Sequence, residues 1–354
     1  MNVRLMTIAL LAALLLPMGV HALAAGLWTP AELAGKETER HAGPKHEPDL
    51  TPPARTESKA VLPKLPPEFQ GSIRRVDTGG VKLVALTFDL CELSDQTTGY
   101  DGAVVDVLRA NHVAATFFAG GKWMRSHPVR AMQLVADPLF EVGGHAWTHG
   151  NFAVLSEEKR REQLDWTEAQ YEIVRADLGY RALSPSTGDD KMVWRLFKSD
   201  GPASGEPSQY IPEAIRVVRF PYGRCNAQAL ELLASKGVAA IQWDVNMADA
   251  SKTRTAQAIT RDVLRLVKPG SIVLGHANGF GHATAEALRS IIPALKAQGY
   301  RFVTVSELLA SGKPVAASDC YDWRPGDTAI YDKMFGEGTS HLYPRLRPQK
   351  SPAK

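Results

Sequence analysis

Five strand-length apolar runs in this chain end at, or close to, a side chain that can ionise or bind a metal. Residues 81–88 lead to Asp89, 140–144 to His145, 215–220 carry Arg219 at their end, 238–243 precede Asp249, and 271–274 lead to His276. Two similar runs, 113–119 and 301–305, bring the set to seven. Helical patterns separate them, such as Val104, Val105, Val107 and Leu108 after Asp101, and the stretches opened by the capping residues Asn226 and Thr255. Apolar strands alternating with helices imply a parallel sheet covered by helices. An open sheet spreads its strand ends along an edge, whereas a barrel gathers them at one mouth. Polar residues at five strand ends therefore favour an α/β barrel, distorted because it has seven βα units.

His145 and His149 lie four residues apart, a spacing that puts both imidazoles on one face of a helical turn and lets them converge on one ion. Gly143 and Gly144 let the chain turn sharply as the preceding strand ends. Imidazole is a common metal ligand, and a pair of histidines usually takes a carboxylate as third partner.

The net charge is +3 on 354 residues and no dense basic patch carries interleaved aromatics, which excludes nucleic acid as a partner. The basic start Met1-Asn2-Val3-Arg4, the apolar run 5–20 and Ala22-Leu23-Ala24 form a signal peptide over 1–24. No other segment is long and apolar enough to span a bilayer, so a periplasmic or secreted protein is expected, without a transmembrane segment after cleavage. Residues 25–70, rich in Pro and charge, read as a flexible linker, 71–312 as one domain, and 313–354 as a C-terminal extension. That extension carries Tyr321, Trp323, Tyr331 and Tyr343, expected to pack on the domain. The aperiodic stretch 183–213 reads as an inserted loop on the functional rim. Of the three cysteines, Cys91 and Cys225 each follow a strand bearing a candidate site residue and are the preferred disulfide pair, with Cys320 left over.

The ordered set Thr87-Phe88-Asp89, His145 with His149, Arg219-Phe220-Pro221-Tyr222, Asp249 and Leu274-Gly275-His276 resembles the polysaccharide deacetylases, the NodB-homology or carbohydrate esterase family 4 enzymes. The resemblance covers about 81–310 and implies a distorted (β/α)7 TIM-like barrel of the NodB-homology type. It implies a metal-dependent hydrolase that removes acetyl groups from N-acetylglucosamine-type units of a glycan; a monomer is expected, and zinc is the expected divalent ion, though the sequence does not name the metal. By the same resemblance Asp89 is the base, His276 the acid, and His145 and His149 metal ligands. Arg219 orients the base with Asp249 as its acidic partner, Pro221 and Tyr222 form the groove wall and oxyanion donor, and Leu274 lines the acetyl pocket. The chemistry fits these residue types, since amide hydrolysis needs an activated water, a stabilised oxyanion and a protonated leaving amine.

The sequence departs from the family pattern where the metal-binding aspartate should follow the base, because that position is Leu90. Asn246 and Ala250 are further departures, in the fourth motif. Glu92, two residues beyond Leu90, returns to the same side of an extended chain and is the expected third ligand. Asp95, Asp89 itself, or no tight metal are the competing readings. The substitution also keeps open a hydrolase of small non-sugar amides, or a glycan-binding relative with weakened catalysis.

Overall fold

Strand β2 (Leu83–Leu90) is buried along its whole length, as its unbroken apolar run requires of a strand covered on both faces. Its side chains still alternate: Val84, Leu86, Phe88 and Leu90 join the larger apolar cluster, and Ala85 joins a second one with Phe118, Val217, Ile241, Ile272 and Leu274. The computed structural model describes residues 27–182 and 211–341. The expected signal segment 1–24, most of the loop 183–213 and Tyr343 lie outside the described residues.

The other strands are β1 (Ser72–Asp77), β3 (Ala115–Ala119), β4 (Phe140–Gly144), β5 (Val217–Val218), β6 (Ala239–Ile241), β7 (Val245–Asn246), β8 (Ser271–His276), β9 (Arg301–Phe302) and β10 (Lys313–Ala317). Parallel pairings run β6-β5-β4-β3-β2-β8, and β1 closes the ring by pairing β6 in parallel and β8 in antiparallel fashion. The result is the distorted seven-stranded barrel expected from the strand ends. Its seventh stave is not 301–305, however. Only Arg301–Phe302 form a strand there, which pairs the start of β2, and β1 takes the closing position. Arg74 and Arg75 hide β1 in the sequence by breaking its apolar pattern. Arg74 lies over the Tyr321 ring at 3.8 Å and donates to the carbonyls of Tyr321 and Asp322.

The barrel helices form where capping and periodicity place them. Asn226 and Thr255 accept from Ala229 N and Ala258 N, opening the helices Ala227–Ser235 and Ala256–Leu266. No helix among the described residues is long and apolar enough to cross a membrane.

The segment expected as a flexible linker is a strap laid against the barrel. Leu27 and Trp28 are buried, and Arg181 lies over the Trp28 ring at 4.7 Å. The backbone of Glu39 accepts from Tyr100 N at 2.7 Å, while Gly99 N and Asp101 N donate to Asn278 and Ala277 carbonyls. The loops after β2 and β8 are thus tied to each other and to the strap. A Cβ on Gly279, where φ is +82°, would fall 1.9 Å from the Arg40 carbonyl, so only glycine lets the strap sit this close. Backbone hydrogen bonds of this kind need no hydrophobic periodicity, which is why the composition of the segment suggested a tether.

The C-terminal extension adds β10 to the free edge of β1. The disulfide joins Cys225 to Cys320, with Cα atoms 5.4 Å apart, and Cys91 is the free, buried cysteine. The expected Cys91–Cys225 pair is therefore corrected: Cys91 points into the barrel mouth, and the extension brings Cys320 to Cys225. Closing a loop of sequence separation 95 removes much unfolded-state freedom, and Cys225→Ser is expected to cost about 2–4 kcal/mol. Denaturant unfolding with and without reductant checks this, and a reductant-insensitive midpoint would contradict it.

Candidate active site

Asp89, at the end of β2, lies beside Phe118 of β3 on one side and His276 of β8 on the other. Arg219, just past β5, donates from Nη1 to Asp89 Oδ1 at 2.8 Å and from Nη2 to the Gln242 carbonyl at 3.3 Å. Its guanidinium lies over the Phe118 ring at 4.2 Å and is fully buried. Burial by itself raises the pKa of Asp89, but Arg219, followed by His145 and His276, holds the carboxyl below its ordinary range. Asp89 is therefore an ionised carboxylate with one oxygen fixed by Arg219.

His145 and His149 converge, with ring centroids 5.0 Å apart. The backbone that brings them together is not the expected helical turn. Residues 145–150 form an irregular loop, in which Ala146 and His149 take positive φ values of 64° and 61°. Such conformations in non-glycine residues gather where a site demands a particular side-chain direction. His145 Nδ1 donates to the Arg219 carbonyl at 2.9 Å, which turns Nε2 toward Asp89 Oδ2 at 3.7 Å. His145 Nε2 and His149 Nδ1 are buried without a hydrogen-bond partner. Burial lowers the pKa of both imidazoles, and His149 falls well below its ordinary value. Neutral imidazoles with an unused ring nitrogen are what a metal ligand requires.

His276 ends β8, and its Nδ1 lies 2.8 Å from Asp249 Oδ1. Asp249 is fully buried and also accepts from His276 N at 2.8 Å and Thr284 Oγ1 at 2.7 Å. Arg219 holds Asp89 as expected, but Asp249, expected as its acidic partner, partners His276 instead. Burial pulls the His276 pKa down, but the charge and hydrogen bond of Asp249 outweigh it, so the net direction is up. The site thus pairs a carboxyl whose pKa is pushed down with an imidazole whose pKa is pushed up.

Pro221 and Tyr222 form a short turn after Arg219, with Tyr222 at φ 61°. The Tyr222 ring lies 4.4 Å from His149 and stacks on Phe335 at 5.0 Å, and its hydroxyl donates to the Gly338 carbonyl at 2.7 Å. The far end of the chain thus builds one wall of the mouth, a contribution invisible in the motif pattern. Leu274 lies in the interior cluster, 5% exposed.

The expected third ligand is corrected. Glu92 is fully buried and engaged elsewhere, by Lys122 Nζ at 2.8 Å, Thr98 N at 2.9 Å and the Ser126 hydroxyl. It does share the side of Leu90, but Leu90 belongs to the cluster between barrel and helices, so that side faces away from the mouth. Asp95 is likewise occupied, by His341 Nδ1 at 2.8 Å and Ser340 Oγ at 3.0 Å. The residue missed was Cys91. It shares the Asp89 face of the strand, and its sulfur and a ring nitrogen of each of His145 and His149 lie within 4.8 Å of one another. Strand alternation counted from Asp89 rather than Leu90 would have found it.

The residues present fit a divalent cation: two imidazoles with ring centroids 5.0 Å apart each keep a buried nitrogen without a hydrogen-bond partner.

The family model for polysaccharide deacetylase matches residues 77–191. The peptidoglycan-N-acetylglucosamine deacetylase of Bacillus cereus is 28% identical over 232 residues, 65% of this chain and 69% of that protein. The corresponding enzyme of Listeria monocytogenes is 30% identical over 227 residues, and the matched region spans only 39% of its length. Among solved structures, a peptidoglycan N-acetylglucosamine deacetylase superposes with a TM-score of 0.52 at 25% identity, over 68% of this chain and 94% of that one. A CE4 family pseudoenzyme from Bacillus anthracis gives 0.51 at 25% identity, over 68% and 69%. With the ordered motifs converging on one barrel mouth, the match places a polysaccharide deacetylase domain in the chain, and its barrel is similar to those of the CE4 enzymes.

Proposed function

We propose that the protein is a secreted or periplasmic deacetylase that hydrolyses the N-acetyl amide of N-acetylglucosamine-type units in a glycan. The observation that carries the reading is the pairing of an arginine-held carboxylate, Asp89, with an aspartate-held imidazole, His276, on adjacent strands. One chain supplies the whole set, which supports a monomer. The apolar start of the sequence and the disulfide support export.

His145 and His149 would hold a divalent cation, which when bound polarises the acetyl carbonyl and acidifies water. Asp89 takes a proton from the attacking water, and Arg219 keeps it in place. The Tyr222 turn provides the wall where the resemblance puts an oxyanion donor. His276 delivers its proton to the departing nitrogen as the C–N bond breaks, leaving acetate and the free amine. Leu274 offers an apolar surface for the acetyl methyl.

Acetate release from N-acetylated glycans, including peptidoglycan and chitin oligomers, tests the reading. Release from small non-sugar amides alone would move the assignment to the amidohydrolase alternative, and glycan binding without release would mark a weakened relative.

His276 must be protonated to act, so activity is expected to persist toward alkaline pH and to fall as pH rises through its elevated pKa. Asp249→Asn removes the charge that elevates it, and the alkaline limb is expected to move to lower pH. An unmoved limb in that variant assigns the acid to another group.

A further inference from the structure

Leu90 takes away the carboxylate that the family resemblance puts on the metal, yet both histidines keep a buried, unpartnered nitrogen. We propose that Cys91 completes the centre: its sulfur, as thiolate, joins His145 and His149 in holding a thiophilic divalent cation such as zinc. The inference rests on the metal-dependent reading above and gives that site its missing anionic ligand.

Four observations carry it. The Cys91 sulfur and a ring nitrogen of each histidine share one 4.8 Å cluster, and no carboxylate oxygen among the described residues shares that radius with both imidazoles. Ligands of a tetrahedral ion sit roughly 3.3–3.6 Å apart at usual Zn–N and Zn–S lengths, so a small inward rotation of these side chains suffices. His145 Nδ1 is already committed to the Arg219 carbonyl, which fixes the tautomer that leaves Nε2 for a metal. Cys91 is kept out of the disulfide by the Cys225–Cys320 pairing and is 9% exposed, so its thiol is retained in the mouth.

The rival donors are engaged. Asp89 is ion-paired with Arg219, Glu92 with Lys122, and Asp95 is hydrogen-bonded to His341. A thiolate restores the single negative charge that an aspartate would have brought, and it leaves Asp89 free to act as a base. Binding breaks the S–H bond, sends the proton to solvent and forms a sulfur–metal bond, with no change of oxidation state. Soft sulfur shifts preference away from magnesium and calcium toward zinc and cobalt.

The test uses the full, disulfide-bonded chain, freed of metal and titrated with Co(II) and then Zn(II), with acetate release measured in parallel. The wild type is expected to show the near-ultraviolet thiolate-to-cobalt charge-transfer band. Cys91→Ser should lose that band and bind zinc at least about 100-fold more weakly, beyond the usual effect of losing a supporting partner. Cys91→Asp should lose the band but keep the metal, and circular dichroism confirms that each variant is folded. Cobalt binding without the band, or unchanged zinc affinity in Cys91→Ser, overturns the proposal while the deacetylase reading stands. Acetate release by wild type that binds no metal overturns both this proposal and the metal-dependent part of that reading.

Discussion

Asp89→Asn is expected to cut acetate release by about 10²–10⁴-fold and to lower the unfolding free energy by about 3–5 kcal/mol. Both effects arise at one contact. The asparagine cannot take a proton from water, and it leaves the fully buried Arg219 guanidinium without a counter-charge. Two consequences of one substitution can be separated by a second. Arg219→Met alone should also be costly, because it strands Asp89, whereas the double variant removes both charges and should regain much of the stability. Its activity should stay lost. Denaturant unfolding and kinetics on the three variants make the comparison. If Asp89→Asn is as stable as the parent, the buried pair is not what holds the carboxylate; if the double variant regains activity, Asp89 is not the base.

Glu92→Gln is expected to destabilise by about 3–5 kcal/mol yet leave metal affinity unchanged. Its partner Lys122 is 2% exposed, so loss of the carboxylate strands an ammonium in the protein interior. Glu92→Gln combined with Lys122→Met should recover part of the loss. The comparison requires unfolding in the presence of a chelator, since bound metal stabilises the folded state by mass action. A zinc titration of the folded variant that shows weakened binding would return Glu92 to the ligand set.

The strand ends were the most legible part of the sequence. Asp89, His145, Arg219 and His276 follow strands whose apolar runs are long enough to recognise, and the barrel follows from bringing them together. Closure by β1 was not legible, because Arg74, which lies over Tyr321 of the extension, and Arg75 break the pattern that betrays a strand. The partnering of Asp249 with His276 rather than Arg219 depended on side-chain reach across the mouth, which spacing along the chain does not encode. Glu92 shows how a sound rule fails from a wrong origin. Alternation did place it opposite Asp89, but Leu90 lay on the helix-facing side, and only the three-dimensional packing revealed which side faced the mouth. The strap at 27–70 is held by backbone hydrogen bonds and glycine close approaches, neither of which leaves an apolar rhythm to read.

The wall formed by Phe335 and Gly338 against Tyr222 has a bearing on the order in which the molecule is completed. Every candidate catalytic group lies between Asp89 and His276, so ribosomal synthesis delivers the whole reactive set before the residues that finish the mouth. Cys320, which ties the extension to Cys225, arrives 95 positions after its partner. A nascent or prematurely terminated chain therefore carries the reactive residues with one flank of the mouth still open. One flank of the cleft is thus supplied by a segment made later than those that carry the reactive groups.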